Sequence, residues 1–157
     1  MMKIQGKFSF YENGALVSSY KNQILDSGFK FFIDGLLSGQ GAILSRIVVG
    51  SVSGIPIPTT YTNQQGMQSQ LTISIPRVGN YRLSKLADQN GLYASFEFKR
   101  EVISGAGVAI NEMGVICTSS NVDKLLSRRV SSDVTPLHTF SNMYDTFINW
   151  ELTITVV

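Results

Sequence analysis

Charge is what this sequence has least of. Its 157 residues carry 13 Lys+Arg and 11 Asp+Glu, so charged residues are 15% of the chain and the formal net charge is +2. Soluble domains average about 25% charged residues. A duplex-binding surface needs clustered basic residues that release counterions, so a nucleic-acid partner is not expected. A disordered chain needs low hydrophobicity and high net charge, and 43% apolar residues argue against that. Cysteine is limited to Cys117, which excludes an intramolecular disulfide and a thiolate metal cluster. Histidine is limited to His138, so a metal centre and a cofactor are both unexpected. No apolar run approaches the roughly 18–20 residues of a membrane span, and no membrane partner is expected. The opening MMKIQGKFSF has no apolar core behind Lys3, so a signal peptide is not expected either.

Neutral polar residues replace the missing charge. Ser, Thr, Asn and Gln number 46, or 29% of the chain. Most of the sequence has a period of two, the mark of half-buried antiparallel strands. Ile4, Phe8 and Phe10 alternate with polar residues from Lys3 to Tyr11, and Asn13-Gly14 supplies a tight hairpin turn before Ala15 to Tyr20 returns. Leu71, Ile73 and Ile75 alternate until Pro76, which is expected to stop that ladder. Tyr81 to Leu86 and Leu92 to Arg100 flank a second hairpin signal, Asn90-Gly91. In the last strand Ile148, Trp150, Leu152, Ile154 and Val156 share one face.

One stretch has helical spacing instead: Leu25, Phe29, Phe32, Ile33, Leu36 and Leu37. It predicts a helix over residues 22–38, with Asn22 as N-cap and Gly39 as the stop, covering a sheet. Long irregular connections are expected over residues 51–68 and 131–143. A single domain over 1–157 follows from the length. Short strands, turns at intervals and one helix predict an all-β fold, an antiparallel β-sandwich of jelly-roll type.

Chemistry is sparse. The Gly50-Ser-Val-Ser-Gly54 stretch lacks the central serine of a nucleophile elbow, and Gly105-Ala-Gly107 lies between strands, outside the setting of a phosphate loop. A hydrolase built on His138 would need a hydroxyl and a carboxylate within reach of its ring. No catalytic residue is nominated and no enzyme activity is expected. Glu112 and Arg128 each lie in apolar surroundings on successive strands, where a charge must be paired or at an edge, so they are expected to pair across those strands. In the first long loop Ile55, Pro56, Ile57, Pro58, Tyr61, Gln64 and Gln65 form a candidate interaction segment. Tyr61 with Gln64 and Gln65 also offers an alternative, a carbohydrate-binding module that stacks a sugar on the ring.

The order of short motifs carries a resemblance. Asn22-Gln-Ile-Leu-Asp-Ser-Gly28 is followed by Ile47-Val-Val-Gly50-Ser51 and a Pro/Thr-rich loop. Then come Ile110-Asn-Glu112-Met-Gly114-Val, Leu125-Leu-Ser-Arg128 and Trp150-Glu-Leu-Thr-Ile154. From about Asn22 to Val157 the chain resembles the small β-rich virion proteins of tailed bacteriophages, found in tail-fibre, neck and head-surface components. The resemblance implies a non-enzymatic structural protein of the virion, made in the host cytoplasm and partnered by copies of itself and other virion proteins. Amides and hydroxyls desolvate at less cost than ions, so a neutral polar surface suits such assembly. Bare edge strands can also pair with a neighbour, and Lys3 to Tyr11 and Asn149 to Val157 are the candidates.

Overall fold

A computed structural model describes residues 2–39, 41–50, 70–85, 91–102, 108–131 and 135–156. In chain order the elements are β1 (Met2–Glu12), β2 (Ala15–Ile24), α1 (Asp26–Leu37), β3 (Ile43–Gly50), β4 (Gln70–Lys85), β5 (Gly91–Arg100), β6 (Val108–Ile110), β7 (Glu112–Ser119), β8 (Val122–Val130), β9 (His138–Phe140) and β10 (Thr146–Val156). Asn13 and Gly14, at φ 51° and 76°, make the expected tight turn between β1 and β2. Ser120 and Asn121 do the same between β7 and β8, at φ 50° and 62°.

The strands do not form a jelly-roll sandwich. One antiparallel sheet curls round in the order β1-β10-β5-β4-β3-β7-β8-β2, with β2 returning to β1, while β6 and β9 make a separate two-stranded ladder. The ring is built as two half-barrel arcs joined at corner strands. At one corner β4 pairs with β3 as far as Pro76, opposite Arg46, and then with β5 from Arg77 onward. Proline has no N–H to donate, yet here the strand is changing partners, so Pro76 sits at the bend and β4 continues to Lys85. At the other corner β2 leaves β1 and meets β8 through only two register pairs, Gln23 with Arg128 and Ile24 with Ser127. A two-layer sandwich would keep the arcs separate; shared corner strands make them one curled sheet.

The termini give a second correction. β1 and β10 pair with each other over eleven positions, from Met2 with Val156 to Glu12 with Thr146. Neither is a free edge, so the sequence-based idea that they recruit a neighbour by strand addition fails. The alternation of β10 is as expected: Ile148, Trp150 and Leu152 are buried with Phe8, Phe10, Phe96 and Phe98 in the main core. β7 differs, being buried on both faces along most of its length. Met113, Val115 and Cys117 join the main core, while Ile116 packs with Leu25, Val48 and Leu125 in a smaller cluster.

The helix is shorter than its apolar spacing suggests. Residues Asn22 to Ile24 are still strand, and Asn22 is no N-cap; its Oδ1 accepts a hydrogen bond from Trp150 Nε1 at 3.2 Å. The turn into α1 is fixed instead by backbone, with Leu25 N–H donating to Leu126 O and Phe29 N–H to Leu25 O, both at 2.9 Å. Two glycines set the closeness of the helix to the sheet. A Cβ on Gly28 would stand 2.0 Å from Leu125 O, and one on Gly35 would stand 2.8 Å from Ser119 Oγ. Both contacts tie α1 to the β7–β8 side, while Phe29, Phe31 and Phe32 pack against the main core.

Candidate functional site

Three assemblies of polar side chains emerge from this frame. In the first, Arg128 Nε donates to Glu112 Oε2 at 2.8 Å, and Nη2 contacts the same oxygen. The two residues are 3% and 0% exposed. Register places Gly114 opposite Arg128 and Val130 opposite Glu112, so the pair bridges β7 and β8 diagonally. Alternation along β7 sets Glu112 and Gly114 on the face away from Met113, Val115 and Cys117. The structure therefore brings these two sequence-nominated residues together. A charge-assisted pair removed from water stays favourable only while both members are present.

The second assembly surrounds His138, which is buried within β9 at 6% exposure, whereas the sequence suggested a loop histidine. Its ring stacks on Phe10 with centroids 4.5 Å apart and meets Phe140 edge-on at 5.4 Å. Nε2 lies 2.7 Å from Glu12 Oε1, and Thr146 Oγ1 donates to that same oxygen at 3.1 Å. Burial pushes the His138 pKa down, outweighing the opposing pull of Glu12 through its hydrogen bond and charge. The ring is accordingly neutral at pH 7, and in the tautomer with the proton on Nε2 it donates a hydrogen bond to the Glu12 carboxylate. A carboxylate thus stands within reach of the ring, as a hydrolase would need, but the nearby hydroxyl of Thr146 faces the carboxylate. Two phenyl rings occupy the approach. Beside them Arg100, 9% exposed, lies with Cζ 4.4 Å from the Phe140 ring centre, and desolvation lowers its pKa. Nothing in the sequence signalled this cluster, because Glu12 and His138 lie 126 positions apart.

The third lies on the outward face of β1, β10 and β5. Ser9 and Ser19 Oγ atoms are 3.2 Å apart, Ser95 Oγ donates to Asn149 Oδ1 at 2.7 Å, and Asn149 Nδ2 donates to Glu151 Oε1 at 3.2 Å. Next to these, a groove of about 620 Å³ is lined by Tyr11, Phe147, Asn149, Ser95 and Glu97, with Gly14, Val78 and Gly79 at its border. It exists because β4 bulges away from β5 here: Val78 pairs with Glu97, but the next pair is Arg82 with Ser95.

The interaction segment with Ile55, Pro56, Ile57, Pro58, Tyr61, Gln64 and Gln65 lies outside the described residues. Among the described residues no group of three His, Cys, Asp or Glu side chains could hold a metal ion. No helix there is long and apolar enough to cross a membrane. Cys117 is buried, and desolvation followed by the charge of Asp123 raises its thiol pKa to about 11, which keeps it protonated. No protein-family model matches this chain, and neither does any curated protein or any solved structure.

Proposed function

We propose that this chain is a non-enzymatic structural component of a tailed-phage virion, held at the tail, neck or head surface by contacts with copies of itself and with other virion proteins. The motif order described above suggests the setting. The observation that carries the reading is the outward face of β1, β10 and β5, where neutral side chains are already hydrogen-bonded to one another. Covering such a face strands few of those donors or acceptors, while Lys7, Glu97, Lys99 and Glu151 on the same face call for a partner of complementary charge. Apolar side chains at the two ends of the barrel, among them Leu16, Val17 and Val122, add surface for burial. With both terminal strands already paired, association proceeds face to face instead of by strand addition. Light scattering after size exclusion, run from low to high micromolar concentration, checks this. Species larger than the 17.2 kDa monomer are expected. A monomer throughout, together with its absence by mass spectrometry from particles of the phage that encodes it, overturns the reading.

A carbohydrate-binding reading is favoured by one observation, the groove that sets Tyr11 and Phe147 beside Asn149, Ser95 and Glu97. Aromatic faces with amide, hydroxyl and carboxylate groups suit a sugar ring. It replaces Tyr61 as the platform. A glycan array with no hits, or hits unchanged by Tyr11→Ala, removes it.

A further inference from the structure

The mouth of the barrel beside α1 is open on one flank. Gly28 and Gly35 draw the helix toward β8 and β7, so its far side, carrying Phe32 and Ile33, stands off from β5 and β10. The gap is a groove of about 320 Å³, at the small end of the ~300–1,000 Å³ typical of small-molecule pockets. Leu44, Ala94, Phe96 and Leu152 form its inner wall. At its rim Ile43 and Leu92 are 49% and 58% exposed, which leaves apolar surface in water. Among the described residues Arg77 is the one ionisable side chain in the lining, and none of their carboxylates pairs with it.

We infer that this groove binds a small amphiphile with an unbranched apolar tail and a carboxylate head. The tail occupies the space between Phe32 and the β5–β10 wall, and the head meets the Arg77 guanidinium, whose planar fork matches a carboxylate. Mouths of β-barrels are places where such pockets form, and an eight-stranded ring encloses room for one small ligand. An apolar wall sets affinity by tail length, and a single cation sets the sign of the head group. The site is separate from the outward face invoked for assembly, so either proposal survives the failure of the other.

The single tryptophan gives a reporter, because Trp150 lies with its ring 5.8 Å from that of Phe96 in the groove wall. Titration of the full chain with hexanoate, octanoate and decanoate should tighten binding about fourfold per methylene, or ~0.8 kcal/mol, until the groove is full. Decanoate should bind at least tenfold more tightly than decanol, and decyltrimethylammonium more weakly than either. Arg77→Gln should bring decanoate to the affinity of decanol while leaving decanol unchanged. Ala94→Phe, which fills the groove, should abolish all binding with the far-UV spectrum intact; if that variant does not fold, the Arg77→Gln comparison decides alone. No dependence on tail length, equal affinity for decanoate and decanol, or decanoate binding unchanged in Arg77→Gln overturns the proposal. So does decanoate affinity that falls as protein concentration rises, which would assign the groove to a second copy of the chain.

Discussion

The two arcs of the barrel are finished differently. On the β3–β7–β8 side β7 is buried on both faces along most of its length, the helix lies against β8 at backbone contact distance, and the charges buried between β7 and β8 are a mutually bonded pair. On the β4–β5–β10 side a bulge, a bend at Pro76 and the standing-off helix leave two grooves, and large apolar side chains such as Leu92 face water. The same curled sheet therefore has a sealed half, where β7 is covered on both sides and only strand ends such as Ile43 and Val122 reach water, and an open half, where surface is left for something else. Sealing comes from particular residues: two glycines that admit the helix and one ion pair that permits charge under cover. Single substitutions should separate the halves sharply.

The largest effect belongs to the ion pair. Arg128→Met leaves Glu112 buried with its guanidinium partner gone, and unfolding free energy should fall by about 3–5 kcal/mol in urea denaturation. Converting both residues, Glu112→Leu with Arg128→Met, should recover most of that loss, because well-packed apolar side chains can replace a buried pair. Equal losses for the single and double variants would show that the pair is not the source of the stability.

Next comes Gly28→Ala. On helix propensity alone it should stabilise by about 1 kcal/mol. The new Cβ would stand 2.0 Å from a backbone oxygen of β8, which cannot rotate away. Overpacking typically costs about 1–3 kcal/mol, and displacement of α1 from β8 puts this position at the upper end of that range. Net destabilisation in the same denaturation assay is the expected sign, and a gain in stability would break the account of the sealed half.

The open and sealed halves were unequally legible in the sequence. Strand periods were visible wherever one face meets water, as in β10, where Ile148, Trp150 and Leu152 fall inward as their spacing indicates. The Asn13-Gly14 turn was readable because positive φ at both positions demands those residues. Glu112 and Arg128 were readable because charges in apolar strands need each other. Pro76 misled, because a local rule about ladder hydrogen bonds cannot show that a strand changes partners at that residue. Asn22 misled as well: a good capping residue was drawn into β2 by the Trp150 indole and the backbone bond at Leu25. Sandwich and curled barrel differ only in which strands share a corner, and that information is non-local. The Glu12–His138 contact and both grooves have the same character, since each joins elements far apart in the chain.

Protonation offers a smaller test, placed where β9 and its neighbours stack on the barrel. The pKa of His138 is lower in the folded chain than the ~6.5 of the unfolded one. Below that value the unfolded state binds a proton that the folded state refuses, so stability is full above about pH 6.5 and declines as pH falls. Urea midpoints at pH 7.5, 6.5 and 5.5 should drop in that order. His138→Phe keeps the aromatic stack and removes the titration, so its midpoint should change less over the same interval. A midpoint that rises on acidification would mean that Glu12 dominates and that the ring is protonated in the fold.

The smallest effect should come from the open half, and its smallness is informative. Leu92 is as apolar as Leu126, yet it is 58% exposed where Leu126 is fully buried. Leu92→Ser removes little packing, so stability should stay within about 0.5 kcal/mol of the parent, as for surface substitutions generally. Leu126→Ala on the sealed side should lose about 2–5 kcal/mol through lost burial and the cavity left behind. Nothing in the fold then holds Leu92 at the groove rim, and its apolar side chain adds to surface that folding alone leaves uncovered. If Leu92→Ser instead destabilises by as much as Leu126→Ala, the rim is packed in solution and the contrast between the two halves disappears. If stability is unchanged while decanoate binding weakens several-fold, the contrast is sharpened: one arc of the sheet is spent on folding, and the other is kept free for a ligand.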